Sequence, residues 1–199
     1  MNRRYPPELP SLLREAGVRA DDAILSEALS GLTPPEKAPP QLLRERLLAT
    51  VARPRLRFAP LFGALGELFD SSDTDLAGLF ERAAEPDAWQ ASAVPGTELF
   101  HFQGGPRVAM ADNGLVRIAA GARFPSHRHR GLERVLVLDG GYRDEPSGQL
   151  YLPGDWHEMA AGTTHAYSAF SERPLLLAVS LLAGVDVDGY GTLPPSRAG

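Results

Sequence analysis

The hydrophobic pattern of this chain changes from helical to β-type near Trp89, and this change limits the folds that it can adopt. Before Trp89, apolar residues recur at helical spacing, for example over 58–69. After it, Gly, Pro or Asp-Gly turns separate short apolar or alternating runs, which cover 115–119, 134–138, 149–152 and 175–182. Many short strands with frequent turns are typical of a β-sandwich or barrel. The sequence therefore predicts a mainly β domain preceded by an α-helical N-terminal segment.

Composition divides the chain into three predicted regions. The α-helical N-terminal region covers 1–88, and it contains a linker at 34–40 in which four of the seven residues are proline. The β domain covers 89–185. The last residues, 186–199, are rich in Gly, Pro and Ser from Tyr190 onwards, and they form a predicted C-terminal tail.

The helical region carries an apolar face that is predicted to bind a partner. Phe58, Phe62 and Leu65 recur on one side of a predicted amphipathic helix. Charges are also segregated: residues 41–60 hold five arginines against one acid, whereas 61–90 hold seven acids against one arginine. This pattern fits a partner-binding groove, and it equally fits two solvated helix faces that neutralise each other. The alternative is that the three apolar side chains are core, packed against the β domain or against a second subunit. Packing of these side chains against a second subunit would be compatible with a homodimer.

Two further helices are predicted in this region. One covers 41–51 and follows the proline-rich linker. The other is capped by Ser72 or Asp73 and ends before Pro86.

Composition also excludes several classes of protein. The chain has no cysteine, so a metal must be held by nitrogen and oxygen ligands. Its formal net charge of −5 argues against a broad surface for nucleic acid. No stretch approaches the roughly 20 apolar residues of a membrane span, and no apolar run follows Arg3 and Arg4 as in a signal peptide. We therefore expect a cytoplasmic protein that binds neither nucleic acid nor a membrane.

Three polar side chains are predicted on the buried face of the β domain. His127, His129 and Glu133 share parity in an extended chain, so they point to the same side. Val135 and Val137 share that parity and are expected to face the core. Polar groups carried inward need partners, and a metal ion satisfies two imidazoles and a carboxylate. The pattern therefore predicts a metal site.

The glycines and histidines around these residues form two motifs. The first motif is Gly121-x5-His127-x-His129-x3-Glu133-x6-Gly140, and the second is Gly154-Asp155 followed by Gly162-x2-His165. Both motifs resemble those of the cupin superfamily. Domains of this superfamily are jelly-roll β-barrels of the RmlC-like type. The resemblance implies that one divalent metal ion is bound by His127, His129, Glu133 and His165. The second motif departs from the family at Ala160, where proline is usual, and at Ala169, where asparagine is frequent, but neither position is a ligand.

One subgroup of the cupins is particularly similar. The run "GARFPSHRHRGLERVLVLDGGYRDEPSG" at 121–148, together with Trp89 at the start of the domain, resembles the C-terminal cupin of ChrR-type anti-sigma factors. This resemblance implies a cytoplasmic regulator that senses a small molecule or an oxidant. Its helical region would bind an extracytoplasmic-function sigma factor, and its zinc cupin would govern release. The His, Cys and Cys zinc signature of those helical regions is absent, since the first histidine is His101 and no cysteine is present.

The identity of the metal separates two functions. Three imidazoles and one carboxylate fit a tetrahedral zinc site, which suits the regulator. The same ligands also fit Fe(II), Mn(II) or Ni(II) with open positions. Fe(II) would favour the alternative function, a small cupin dioxygenase. No catalytic residue is predicted beyond the ligands, and a ligand-binding cupin with neither role is the third possibility.

Four residues outside the two ligand motifs receive weaker predictions. His157 shares parity with His165, so it is expected beside the metal site or in a substrate pocket, with an ordinary rim histidine as the alternative. Met159 and Tyr167 are expected to line the same pocket. His101 lies between two phenylalanines and is expected to be a strand residue with a local hydrogen-bond partner.

Overall fold

The computed structural model describes residues 41, 42, 45 and 57–193. The chain divides into two compact units, Met1–Leu47 and Leu48–Gly199. In the first unit, Gln41, Leu42 and Glu45 are helical, as the helix predicted over 41–51 requires. The linker at 34–40 and the rest of that helix lie outside the described residues.

The second unit begins with two short helices whose ends follow from local sequence. After a 3-10 turn at Ala59–Leu61, helix α1 covers Phe62–Phe69 and helix α2 covers Asp73–Arg82. Helix α1 ends at Asp70, which adopts the left-handed conformation with φ 53°. Ser72 caps α2 as predicted, because its hydroxyl accepts from the Asp75 amide while the Asp75 carboxylate accepts from the Ser72 amide. Among the described residues, no helix is long and apolar enough to cross a membrane.

Twelve strands follow the helices in the described part of the chain and form two six-stranded sheets. Sheet 1 has the strand order β1-β2-β3-β10-β5-β8, and sheet 2 has the order β12-β11-β4-β9-β6-β7. The strands are β1 Gln90–Ala91, β2 Thr97–Phe102, β3 Asp112–Ile118, β4 Arg123–His129, β5 Glu133–Asp139, β6 Tyr142–Asp144, β7 Leu150–Tyr151, β8 Trp156–Met159, β9 Thr164–Ala169, β10 Leu175–Leu181, β11 Val185–Val187 and β12 Gly191–Leu193.

The two sheets pack face to face around a shared apolar core. Val137 and Leu177 of sheet 1 lie in one cluster with Tyr142 and Tyr167 of sheet 2. All of the sheet pairings are antiparallel, which is the arrangement of a jelly roll. The predicted fold class, a mainly β jelly roll preceded by helices, is confirmed.

The outer face of sheet 1 is covered by the two helices. Side chains of both helices form one buried cluster with Leu115, Leu136, Leu138 and Ala178 of the sheet. The residues predicted to bind a partner belong to this cluster: Phe58 is 7% exposed, Phe62 9% and Leu65 0%. The three side chains are buried because the strands carry apolar residues on this face of the sheet, and the helices pack over those residues. These three side chains are therefore buried against the chain's own β domain in this structure, as the alternative interpretation described, and partner binding by the helical region stays a prediction.

The chain beyond 185 continues sheet 2. Strand β11 pairs with β4, and β12 pairs with β11, so part of the region predicted as a C-terminal tail at 186–199 contributes strands up to Leu193. Residues 194–199 lie outside the described part of the chain.

The structure corrects one step of the sequence argument about the histidines. His127 and His129 lie on β4 of sheet 2, whereas Glu133 begins β5 of sheet 1, so the segment is two strands rather than one. The chain turns at Gly131, where an added Cβ would collide with the backbone of Leu182. The side chains still face one another, because both strands direct these residues into the space between the sheets.

Candidate metal centre

The four predicted metal ligands meet between the two sheets. His127 of β4 is the register partner of His165 of β9, and His129 follows two residues later on β4. Glu133 approaches from the opposite sheet. One nitrogen from each histidine and one carboxylate oxygen all lie within 4.8 Å of one another, so this group could hold a metal ion.

Hydrogen bonds orient each imidazole through its Nδ1 atom. His127 Nδ1 donates to the Pro125 carbonyl at 2.9 Å, and His165 Nδ1 donates to Asp144 Oδ1 at 2.8 Å. His129 Nδ1 lies 3.2 Å from the Thr163 carbonyl and 3.1 Å from its hydroxyl, which itself donates to the Ala160 carbonyl. All of these partners act as acceptors, so Nδ1 carries the hydrogen. Each neutral ring is therefore left with a lone pair on Nε2, the atom that a metal would use.

The remaining polar atoms do not satisfy one another without a cation. His129 Nε2 lies 3.0 Å from Glu133 Oε2, although both atoms are acceptors when the imidazole is neutral and the carboxylate ionised. A proton or a metal ion must therefore lie between them. His165 Nε2 is buried and has no hydrogen-bond partner. Buried polar atoms are nearly always paired, so this donor set fits a metal ion bound by three nitrogens and one oxygen.

The electrostatics keep the group in the protonation state that a metal needs. Burial lowers the pKa of His127 to about 4, so its ring is neutral near pH 7. Burial raises the pKa of the Glu133 carboxyl. The hydrogen bond with His129 and the neighbouring imidazoles lower the pKa by a larger amount, so the net shift is downward. For Asp144, burial likewise acts upward, while hydrogen bonds from Ser147 and His165 bring the pKa below its usual value. The carboxylate behind His165 is therefore ionised and stabilises the orientation of that ring.

A cavity of about 360 Å³ opens beside these residues. His127, Glu133 and His165 contribute to its wall, so a molecule in the cavity would contact the metal ligands directly. Most of the remaining wall is apolar, with side chains from both sheets such as Val135 and Phe124. A volume of this size accommodates a small organic molecule.

Of the three residues expected beside the candidate ligands, Met159 and Tyr167 line the cavity, whereas His157 contacts two tyrosines next to His165. Met159 is 6% exposed and Tyr167 8%, and both line the cavity. Burial raises the pKa of Tyr167 well above its ordinary value, so its hydroxyl stays protonated. His157 lies next to His165 with ring centroids 5.3 Å apart, but its Nδ1 is 2.8 Å from the Tyr142 hydroxyl and its ring stacks on Tyr151.

Sequence reasoning missed the residues that orient the imidazoles. Asp144 lies 21 residues before His165 and meets it only because β6 pairs with β9. Thr163 bonds His129 across the same sheet, 34 residues away. Neither residue belongs to a spacing motif, so only strand register could have identified them.

Comparison with known proteins places the β domain within one group. A family model described as the ChrR cupin-like domain matches residues 84–183. No curated protein matches the chain in sequence.

Solved structures with a similar fold include regulators, enzymes and a protein of unknown function. One match is a chain in the structure of Rhodobacter sphaeroides SigE in complex with the anti-sigma ChrR. The sequence identity is 24%, the match covers 86% of this chain and 82% of that chain, and the TM-score is 0.47. An acetylacetone dioxygenase from Acinetobacter johnsonii is 14% identical, with coverages of 57% and 84% and a TM-score of 0.47. For a cupin-like protein of unknown function from Ralstonia eutropha, the identity is 18%, the coverages are 50% and 64%, and the TM-score is 0.42.

Proposed function

Because this chain belongs to the family of ChrR cupin-like domains, we propose that it is a metal-dependent regulator. In this proposal it is a cytoplasmic, anti-sigma-like protein whose cupin holds one zinc ion and senses a small molecule or an oxidant. The partner would be an extracytoplasmic-function sigma factor bound by the N-terminal helical region.

The observation that carries the proposal is the position of sheet 1 between the cavity and the helices. Along β5, Glu133 and Val135 face the cavity, whereas Leu136 and Leu138 lie in the cluster that contains α1 and α2. A change in the side chains around the metal ligands therefore reaches the helices through a single layer of backbone. A regulator needs such a connection, because a sensed event must alter a partner-binding region.

The donor set supports zinc as the metal. His127, His129 and His165 would supply imidazole nitrogens and Glu133 a carboxylate oxygen, and zinc in proteins is bound by ligands of these two kinds. A bound zinc ion would supply Lewis acidity to an oxygen-bearing ligand in the cavity. Asp144 and Thr163 hold two of the rings in the orientation that binding requires.

One observation favours an enzyme as the second candidate. Three of the four ligands line the cavity, and a dioxygenase needs a substrate pocket beside its metal. Under this alternative the ion would be Fe(II), and the cavity would accommodate a small carbon substrate.

Metal analysis and oxygen uptake separate the two functions. We expect protein purified without chelator to contain about one zinc per chain, and Fe(II)-loaded protein to consume no oxygen with acetylacetone. Stoichiometric oxygen uptake that is lost in His127→Ala would contradict the regulator and support the dioxygenase.

A capture experiment tests the partner. The full-length chain should co-purify with an extracytoplasmic-function sigma factor of its own organism, and a variant of the exposed residue Met110, Met110→Ala, should do so equally. If none of the organism's sigma factors of this class binds, the anti-sigma role is wrong whatever the metal.

A further inference from the structure

We propose that the cavity contains a second polar anchor, formed by His101 and Asp112, which binds a hydroxyl group of the cavity's ligand. The ligand would be an elongated molecule with an oxygen donor for the metal at one end, an apolar middle and a hydroxyl at the other end. This inference rests on the proposed function only in that the cavity beside the metal ligands takes a small molecule.

His101 and Asp112 form a hydrogen-bonded pair in the cavity wall. His101 Nδ1 lies 2.8 Å from Asp112 Oδ1, and the side chains are 18% and 11% exposed. Both residues line the cavity that the metal ligands also line. On β2, the neighbouring Phe100 lies in the cluster under the helices, so His101 faces the opposite side of the sheet, toward the cavity.

A glycine leaves the space beside the imidazole open. Gly114 is the register partner of His101 and also lines the cavity. A Cβ at Gly114 would lie 3.7 Å from His101 Nδ1 and 2.9 Å from the Phe100 carbonyl oxygen. Because the second contact is closer than real Cβ atoms allow, the strands require glycine here, and no β3 side chain covers the ring at this register.

The strand register gives the distance between the two polar ends of the cavity. Asp112 pairs with Leu181, and Leu181 pairs with Glu133, so the two carboxylates lie two strands apart on the same face of sheet 1. With strands about 4.8 Å apart, the backbone positions of the two carboxylates are roughly 10 Å apart, and His101 lies on the next strand beyond Asp112. Leu181 lies between them, and Val116 and Val179 extend the apolar wall. The cavity is therefore polar at both ends and apolar in the middle.

The chemistry of the pair selects a hydroxyl. An ionised carboxylate only accepts hydrogen bonds, so Asp112 takes the hydrogen of His101 Nδ1 and the ring keeps Nε2 for a ligand. A neutral ring accepts a hydrogen bond at Nε2, and a protonated ring donates one. A hydroxyl satisfies both states, since it donates and accepts, whereas a carbonyl satisfies only the protonated ring.

Two probes of equal chain length test the anchor. Metal-loaded, full-length protein is titrated calorimetrically with 8-hydroxyoctanoate and with octanoate, which lacks only the terminal hydroxyl. We expect about a tenfold preference for the hydroxy acid, the size of one well-formed hydrogen bond. In His101→Leu and in Asp112→Asn this preference should disappear, while octanoate binding and metal content remain. The surface control Met110→Ala should keep it.

The outcomes distinguish this inference from the proposed function. No binding of either probe, no preference in the wild type, or an unchanged preference in both variants contradicts the anchor. Metal-dependent octanoate binding without a preference would overturn the anchor alone. A preference that depends on His101 but persists in metal-stripped protein would support the anchor and contradict the metal-linked sensing.

Discussion

The two faces of sheet 1 differ in whether their side chains find packing and hydrogen-bonding partners within the protein. On the outer face, Leu136 and Leu138 pack beneath α1 and α2 in a continuous apolar cluster. On the inner face, Glu133 approaches a group of imidazoles, and His165 Nε2 is left without a partner. The side chains of the outer face pack against one another, whereas the polar atoms at the inner face leave a group that could hold a metal ion.

This difference shows how one strand serves stability and binding at the same time. Successive residues of β5 alternate between the faces, so Val135 borders the cavity while Leu136 is fully buried under the helices. The apolar face holds the strand in place, and that rigidity positions Glu133. The comparison predicts that substitutions on the two faces have separable effects, on folding for one and on metal binding for the other.

The largest effect is expected on the outer face. Leu65 of α1 is 0% exposed within the cluster, so Leu65→Ala should lower the free energy of unfolding by about 2–5 kcal/mol. Metal content per folded molecule should not change. Urea unfolding gives the first quantity and metal analysis the second. The exposed residue Leu152 offers a matched control, and Leu152→Ala should change little. An unchanged free energy of unfolding in Leu65→Ala would mean that α1 is not core.

The outer face was also the easier one to predict from sequence. Helical spacing over 58–69 predicted the apolar face of α1, and the short apolar run at 134–138 predicted β5, because both patterns reflect the burial of these side chains. What covers that face was left open in the sequence, since an apolar stripe is the same whether a partner or the chain's own sheet buries it. Only the packed structure shows Phe58 and Phe62 against the chain's own sheet.

On the inner face, spacing identified the candidate metal ligands, which the structure brings together, but not the residues around them. His127, His129 and Glu133 are close in sequence, so their pattern is visible, although the turn at Gly131 that puts them on two sheets is not. Asp144 reaches His165, and His101 reaches Asp112, through strand pairing. Pairings of this kind depend on register, and register is a property of the folded sheets.

The second largest effect is expected at a metal ligand. His129→Ala removes one of the four ligand atoms, and it should weaken metal affinity tens-fold or more, while the apolar core keeps the fold. Competition with a chelator measures the affinity, and far-ultraviolet circular dichroism checks the fold. His101→Leu is the matched histidine variant outside the ligand group and should retain full affinity. Full metal occupancy of His129→Ala in dilute chelator would remove His129 from the site.

A smaller effect on the same quantity is expected behind the ligand. Asp144→Asn keeps an oxygen that can accept from His165 Nδ1 but loses the negative charge, so metal affinity should fall by about tenfold. The same chelator competition applies. The exposed residue Asp188 provides the charge-matched control, because Asp188→Asn removes an equal charge from a side chain outside the ligand group. Equal effects of the two variants would mean that net charge, rather than orientation of the ring, controls the affinity.

The smallest effect is expected where the helical layer is joined to the loop between β2 and β3. Asp70, at the end of α1, accepts from the Arg107 amide at 2.9 Å and from Arg107 Nε at 2.7 Å. Arg107→Ala loses only the second bond, so Asp70→Ala should lower the thermal unfolding midpoint more than Arg107→Ala, with metal affinity unchanged in both. The contribution is modest because the pair is exposed to solvent.

The pH dependence of this junction has a definite sign. Hydrogen bonds from the Arg107 backbone and side chain hold the pKa of Asp70 below its ordinary value. A carboxyl group that is more acidic in the folded state stabilises the fold above its unfolded pKa, and the contribution is lost as the pH falls through the lowered value. The difference in unfolding midpoint between wild type and Asp70→Ala should therefore be full near neutral pH and shrink in acid. A difference that grows on acidification would show that Asp70 does not act through its charged form, and the junction between the two layers would need another explanation.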